Sequence, residues 1–200
     1  MFAESILVLI FFGIGYMAYN LHRMRANELI KESSRLNKMI SLNDDVRKIL
    51  LAGMYQRFKK EDGKTENTPL DFEYFVAKTI QIIQGGTCEV TPPSNDGGID
   101  ILHYSEDGLQ LVQVKCYAPN NRIDFQPIAV LHSQMVKQNA EGALVVTTSS
   151  FSQEAIRYAK EVNVRLVDGE QFLDMWLQSI NITLEEIGEG STSPLTPFYN

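Results

Sequence analysis

Asp100, Gln113 and Lys115 are the residues whose types and spacing promise chemistry. They stand in Asn95-Asp96-Gly97-Gly98-Ile99-Asp100-Ile101-Leu102 and Leu111-Val112-Gln113-Val114-Lys115-Cys116, joined through Ser105-Glu106-Asp107-Gly108. Apolar Ile99, Ile101, Leu109, Leu111 and Val112 around an Asp-Gly turn predict a β-hairpin. Strand side chains alternate faces, so Gln113 and Lys115 share one face and Val114 takes the other. A register that brings Asp100 opposite that face gathers a carboxylate, an amide oxygen and an ammonium at one strand edge. Such a set suits metal-assisted phosphodiester hydrolysis. Asp100, the Gln113 oxygen and a backbone carbonyl are hard donors of the kind Mg²⁺ takes, with Mn²⁺ as a substitute. The metal acidifies a bound water and offsets charge on the phosphate, while Lys115 steers that water or stabilises the same charge.

The elements that must position this set are legible on both sides of it. A helix is expected over Pro69–Ile83, with Phe72, Phe75, Val76, Ile80 and Ile83 as its apolar stripe and Gly85-Gly86 as its stop. Glu73 falls one residue off that stripe, at the margin between core and cleft. Thr87–Thr91 reads as a strand, and Gly97-Gly98 lets backbone approach closely just before Asp100. Asp96 competes with Asp100 as a metal ligand, but its loop position suits a turn residue better. After the hairpin, Tyr117–Asp124 is a polar loop in which Arg122 is a candidate phosphate contact. A helix over Phe125–Gln138 follows, then Ala143–Thr148, whose continuous apolar run suits a central strand. Ser152 caps a helix through Ala159 or Lys160, Val164–Val167 is a strand, and Glu170–Ile180, with Trp176, a last helix. His103 and His132 read as surface histidines. The order is α/β, with a mixed central sheet flanked by helices.

Asp100-x12-Gln113-x-Lys115, with Gly97-Gly98 before the acid, resembles the catalytic core of the Mrr-like restriction endonucleases, a branch of the PD-(D/E)xK nuclease superfamily. Asp71-Phe72-Glu73-Tyr74-Phe75 is similar to that family's opening helix. Ala143 to Ser152, Ala155, Ala159 and Val164 to Gly169 are similar to its later strands and helix. The resemblance spans residues 69 to 178. It implies the restriction-endonuclease-like fold, catalytic roles for Asp100, Gln113 and Lys115 with Glu73 assisting at the metal site, Mg²⁺ on Asp100 and Gln113, and DNA as partner. No small-molecule cofactor is expected, and cleavage of both strands suits a homodimer.

Two hundred residues with 44% hydrophobic content bury one ordinary core plus accessories. Net charge is −7, and residues 1–65 hold 11 Lys and Arg against 7 Asp and Glu, so residues 66–200 carry −11. This balance does not suggest a general nucleic-acid coat, because phosphate neutralisation supplies most non-specific affinity and an acidic catalytic half binds DNA poorly by bulk electrostatics. Cys88 and Cys116 lack the spacing of a zinc site or a disulfide framework and read as buried free thiols.

Residues 1–21 pose a different solvent problem. Ser5 to Leu21 is an uncharged, mostly apolar run that as a helix reaches about 25 Å, enough for a single N-terminal transmembrane anchor. Arg23, Arg25, Lys31, Arg35 and Lys38 follow, which by the positive-inside rule keeps the catalytic domain cytoplasmic at the cell inner membrane. Residues 22–60 read as a helical juxtamembrane stalk that packs against the domain or a neighbour, broken near Ser41–Asp44, with Asn43 or Asp44 capping its second part. Residues 61–68 are a polar linker, 69–180 the nuclease-like domain and 181–200 a flexible tail. These features lead to a membrane-anchored, metal-dependent DNA endonuclease. The alternative is a non-catalytic nucleic-acid-binding or scaffolding module on the same fold, motivated by the acidic domain and the neutral Gln113.

Overall fold

The computed structural model describes residues 2–59, 69–92 and 97–188, and of residues 2–11, 41–42, 69 and 188 the backbone alone. Asp96, the linker 61–68 and the tail from residue 189 lie outside the described residues. The chain divides into two compact units, one running Ile40–Ser179, the other made of the segments before Ile40 and after Ser179. The elements are α1 (Phe2–Leu42), α2 (Asp44–Phe58), α3 (Pro69–Gln84), β1 (Thr87–Val90), β2 (Ile101–Ser105), β3 (Gly108–Lys115), α4 (Gln126–Gln138), β4 (Gly142–Thr147), α5 (Gln153–Glu161), β5 (Val164–Val167) and α6 (Gly169–Gly188).

The five strands form one sheet in the order β1-β2-β3-β4-β5. β1, β2 and β3 pair antiparallel; β3, β4 and β5 pair parallel. The hairpin closes at Ser105↔Gly108, and its last β2 pair is Ile101↔Val112. Period-2 alternation sends β3 and β4 side chains into two separate cores. Ile101, Val112, Val114, Leu144, Val146 and Val167 meet α2, α3 and α6 on one face. Leu111, Ala143, Val145 and Val164 meet α4 and α5 on the other. The domain is therefore three-layered, with β4 buried along nearly its whole length.

Local chemistry sets the element ends. Asn43 accepts from the amides of Asp45 and Val46 to start α2, and Ser152 accepts from Ala155 to start α5. Asp168 and Gln171 bond each other's backbone amides, a reciprocal cap at the start of α6. Gly169 follows because α6 starts pressed against β4's exit: a Cβ there would lie 2.6 Å from the Thr148 carbonyl oxygen.

α2 is part of the core. Leu51, Met54 and Phe58 are buried, and the Phe58 ring lies 5.2 Å from both Phe72 and Phe75, which in turn meet Phe172 and Trp176. Arg47 fastens α2 to α6 through Glu170 and Asp174, each at 2.7 Å. His103, expected at the surface, is 1% exposed. It shares the α3 side of the sheet with Ile101, two residues before it, and its Nε2 donates to the Gly85 carbonyl just past α3.

The described residues do not support the expected membrane span. Among the described residues no helix is long and apolar enough to cross a membrane. As expected of the stalk, the helix runs on through His22, Arg23, Arg25 and Glu28 and breaks only after Leu42; the described part of the apolar run is Phe12–Leu21. The side chains of its earlier part lie outside the described residues. Within this unit Asn181 of α6 accepts from Ser33 and Asn37 of α1. α6 thus continues through Asn181–Gly188, the first part of the expected tail.

Because the Phe58 ring joins α2 to α3 and α6, Phe58→Ala in the full chain is expected to lower unfolding free energy by about 3–5 kcal/mol in urea titrations. An unchanged midpoint would mean that α2 is a solvated appendage.

Candidate active site at the end of strand β3

β2 ends as β3 runs on. Past the pair Ile101↔Val112, β3 keeps a partner on the β4 side through Gln113↔Val145, Val114↔Val146 and Lys115↔Thr147. On the β2 side Asp100 takes over: its amide donates to the Val112 carbonyl at 2.9 Å, and its Oδ2 accepts from the Val114 amide at 2.6 Å. The carboxylate is thereby held against the peptide between Gln113 and Lys115. A charge-assisted bond of this kind is worth more than a neutral one and fixes the rotamer as well.

Gln113 and Lys115 line a cleft of about 520 Å³ together with polar Tyr117, Asn121, Arg122, Asp124 and Gln126 and apolar Ile123, Pro127 and Val130. Val114 between them points into the opposite core. Gln113 is only 4% exposed, and its Oε1 has no hydrogen-bond partner among the described residues. A buried acceptor left unpaired costs about 1–3 kcal/mol, so this oxygen favours a partner beyond the described residues. Gly98 sets how close the loop comes: its φ is +81°, and a Cβ there would stand 2.7 Å from Gln113 Nε2.

The predicted residues are thus only partly assembled. Asp100 is bonded between Gln113 and Lys115, and Arg122 joins the last two in the cleft, whereas neither Asp100 nor Glu73 is among the residues lining it. Glu73 sits half-buried on α3, the helix that packs against β1, β2 and β3 from the other face. Among the described residues no three His, Cys, Asp or Glu side chains form a metal-binding group. The donor set here is instead one carboxylate, one buried amide oxygen and nearby backbone carbonyls, all hard oxygens that fit a Mg²⁺-class cation.

The sequence reading missed what holds the cleft wall. Thr147, Thr148 and Ser149, all buried, bond the carbonyls of Lys115 at the end of β3 and of Tyr117 and Asn121 in the loop after it. The run Thr-Thr-Ser-Ser straight after an apolar strand was the available signal. Cys116 lies in this loop rather than in a strand, and it and Cys88 are half-buried free thiols. Burial pushes both up to about 11, the Thr148 hydroxyl pulling the other way on Cys116, so neither is a thiolate at neutral pH.

No curated protein matches the chain. Among solved structures it is similar to the DNA modification-dependent restriction endonuclease AspBHI, with a TM-score of 0.51 and 18% identity over 72% of this chain and 39% of that one. It is also similar to the MspJI restriction endonuclease in complex with a 27-mer oligonucleotide, with a TM-score of 0.50 and 18% identity over 76% of this chain and 37% of that one. The chain thus spans under two-fifths of either protein, and identities this low show the shared fold alone. The restriction endonuclease family Mrr_cat matches residues 65–176, more than half of the chain and all five strands of the sheet. This chain belongs to that restriction endonuclease family.

Proposed function

We propose that the protein is a metal-dependent DNA endonuclease that hydrolyses phosphodiester bonds at the end of β3. The observation that carries this reading is that Gln113, whose buried Oε1 has no partner among the described residues, lines a cleft together with Lys115, with the Asp100 carboxylate bonded to the peptide between them. Asp100 and Gln113 would hold Mg²⁺ or Mn²⁺. A bound cation of this kind lowers the pKa of a coordinated water and offsets the charge that builds on the phosphate.

The chain's own residues do the remaining work. Lys115 brings a positive charge to the cleft, where it orients the attacking water and stabilises the oxyanion as water's oxygen bonds to phosphorus and the bridging P–O bond breaks. Arg122 holds a neighbouring phosphate. These two cations matter more than their number suggests, since residues 66–200 carry −11 and repel DNA at long range. Glu73 is proposed as an assisting carboxylate reached from α3.

Asp100→Asn and Lys115→Ala are each expected to lower Mg²⁺-dependent plasmid cleavage by the full chain at least about a hundredfold while the chain still unfolds in one cooperative transition. Cleavage that persists in either folded variant would overturn the assignment. The absence of a three-acid group among the described residues favours one other reading, a nucleic-acid-binding module without chemistry. Metal-independent DNA binding with no cleavage by wild type would decide for it.

We also propose that the N-terminal helix keeps the protein at the inner membrane with the domain cytoplasmic. Its support is the large apolar surface of Phe12, Ile14, Tyr16, Met17 and Tyr19, each more than half exposed, followed by Arg23 and Arg25. The full chain is expected in the carbonate-resistant membrane fraction and a chain lacking residues 1–21 in the supernatant. Recovery of the full chain in the supernatant would remove this proposal.

A further inference from the structure

Lys115 is the last residue of β3, and a lysine at a strand end has both a flexible stem and a fraying backbone against it. Here the backbone is held unusually firmly. The Lys115 carbonyl accepts from the Thr147 hydroxyl at 2.7 Å, the Tyr117 amide at 3.2 Å and the Thr148 amide at 3.3 Å. Thr147, opposite Lys115 in the β3–β4 register, is wholly buried, and its oxygen also accepts from the Ser149 amide at 3.1 Å. The two hydroxyls that follow continue the pattern. Thr148 donates to the Tyr117 carbonyl at 2.6 Å, and Ser149 to the carbonyls of Asn121 at 2.6 Å and Pro119 at 3.4 Å. Three consecutive hydroxyls thus take every second carbonyl from Lys115 to Asn121. At the far end Ile123 donates to Ser150, re-joining the loop to the chain beyond β4.

A row of buried hydroxyls is an expensive way to hold a loop, because each must be paired to offset its desolvation. Apolar packing would hold the loop as well but without direction. Hydroxyls at alternate carbonyls set its rise residue by residue, and with it where Lys115 and Arg122 stand around the cleft. We propose that Thr147 is a positioning residue for Lys115: its buried hydroxyl fixes the end of β3 so that the ammonium meets the reacting phosphate. This rests on the reading of Lys115 given above.

The test compares wild-type full chain with Thr147→Val, which keeps the shape and loses the hydroxyl, and Thr147→Ser, which keeps the hydroxyl. The measurements are single-site DNA cleavage kinetics and amide hydrogen exchange at Tyr117 and Thr148. Thr147→Val is expected to lower kcat by about a hundredfold, the scale of an ångström's misplacement, with KM for DNA within about twofold. Both amides should exchange about tenfold faster, the factor that one lost hydrogen bond corresponds to, and Thr147→Ser should restore rate and protection together. Should valine not be accommodated, Thr147→Ala is read in its place against Thr147→Ser. Wild-type turnover in the hydroxyl-less variant, or a serine variant as slow as it, would overturn the proposal. If the wild-type chain cleaves nothing with any divalent cation, the nuclease reading falls. The exchange comparison still decides the hydroxyl's role: unchanged protection at both amides in Thr147→Val rejects it.

Discussion

The bond from the Val114 amide to the Asp100 carboxylate is the constraint around which the site is arranged. A sheet strand that outlasts its neighbour leaves amides without partners, and an orphaned amide beside a core is costly. Here β2 begins only at Ile101 while β3 runs on past its partner Val112 to Lys115, and the Asp100 carboxylate supplies the missing acceptor. The geometry of strand termination thereby becomes the geometry of the site. The acid cannot drift from the peptide that carries Gln113 on one side and Lys115 on the other without giving up a charge-assisted bond.

The rest of the domain holds β3 in place. Core on both faces fixes its twist and depth: α2, α3 and α6 grip Val112 and Val114, and α4 and α5 grip Leu111. Gly98 lets the incoming loop lie against the Gln113 amide, and Gly169 lets α6 start against the carbonyl of Thr148. Gln113 is then in a medium where an unpaired oxygen is felt strongly, whereas a carboxylate there would carry a larger desolvation cost until a cation bound. A neutral amide is therefore compatible with a stable fold, at the expense of weaker attraction for any cation it would hold.

Much of this architecture was legible because its signals are local. Alternating apolar residues around Asp107-Gly108 specify the hairpin, Ser152 and Asn43 mark helix starts, and the even spacing of Gln113 and Lys115 puts them on one face, as the shared cleft confirms. What escaped is non-local. His103 looks polar in the chain, yet it lies buried because the Gly85 carbonyl, 18 residues earlier, comes to meet it. Thr147 to Ser149 read as the fading end of a strand, since nothing local says that a loop thirty residues upstream will need their hydroxyls. The apolar run at the N-terminus has the composition of a span, but the helix that contains it goes on into charged residues, and composition alone does not decide its surroundings.

The central claim is that Gln113 presents its buried oxygen to a divalent cation. Isothermal titration of Mn²⁺ into the full chain, wild type beside Gln113→Leu, addresses it most directly, because leucine preserves the volume and removes the donor. The account predicts a saturable site in wild type, weakened at least about tenfold in Gln113→Leu, in keeping with the loss of one ligand. Equal affinity in the two proteins would contradict it and leave the unpaired oxygen without a role in metal binding.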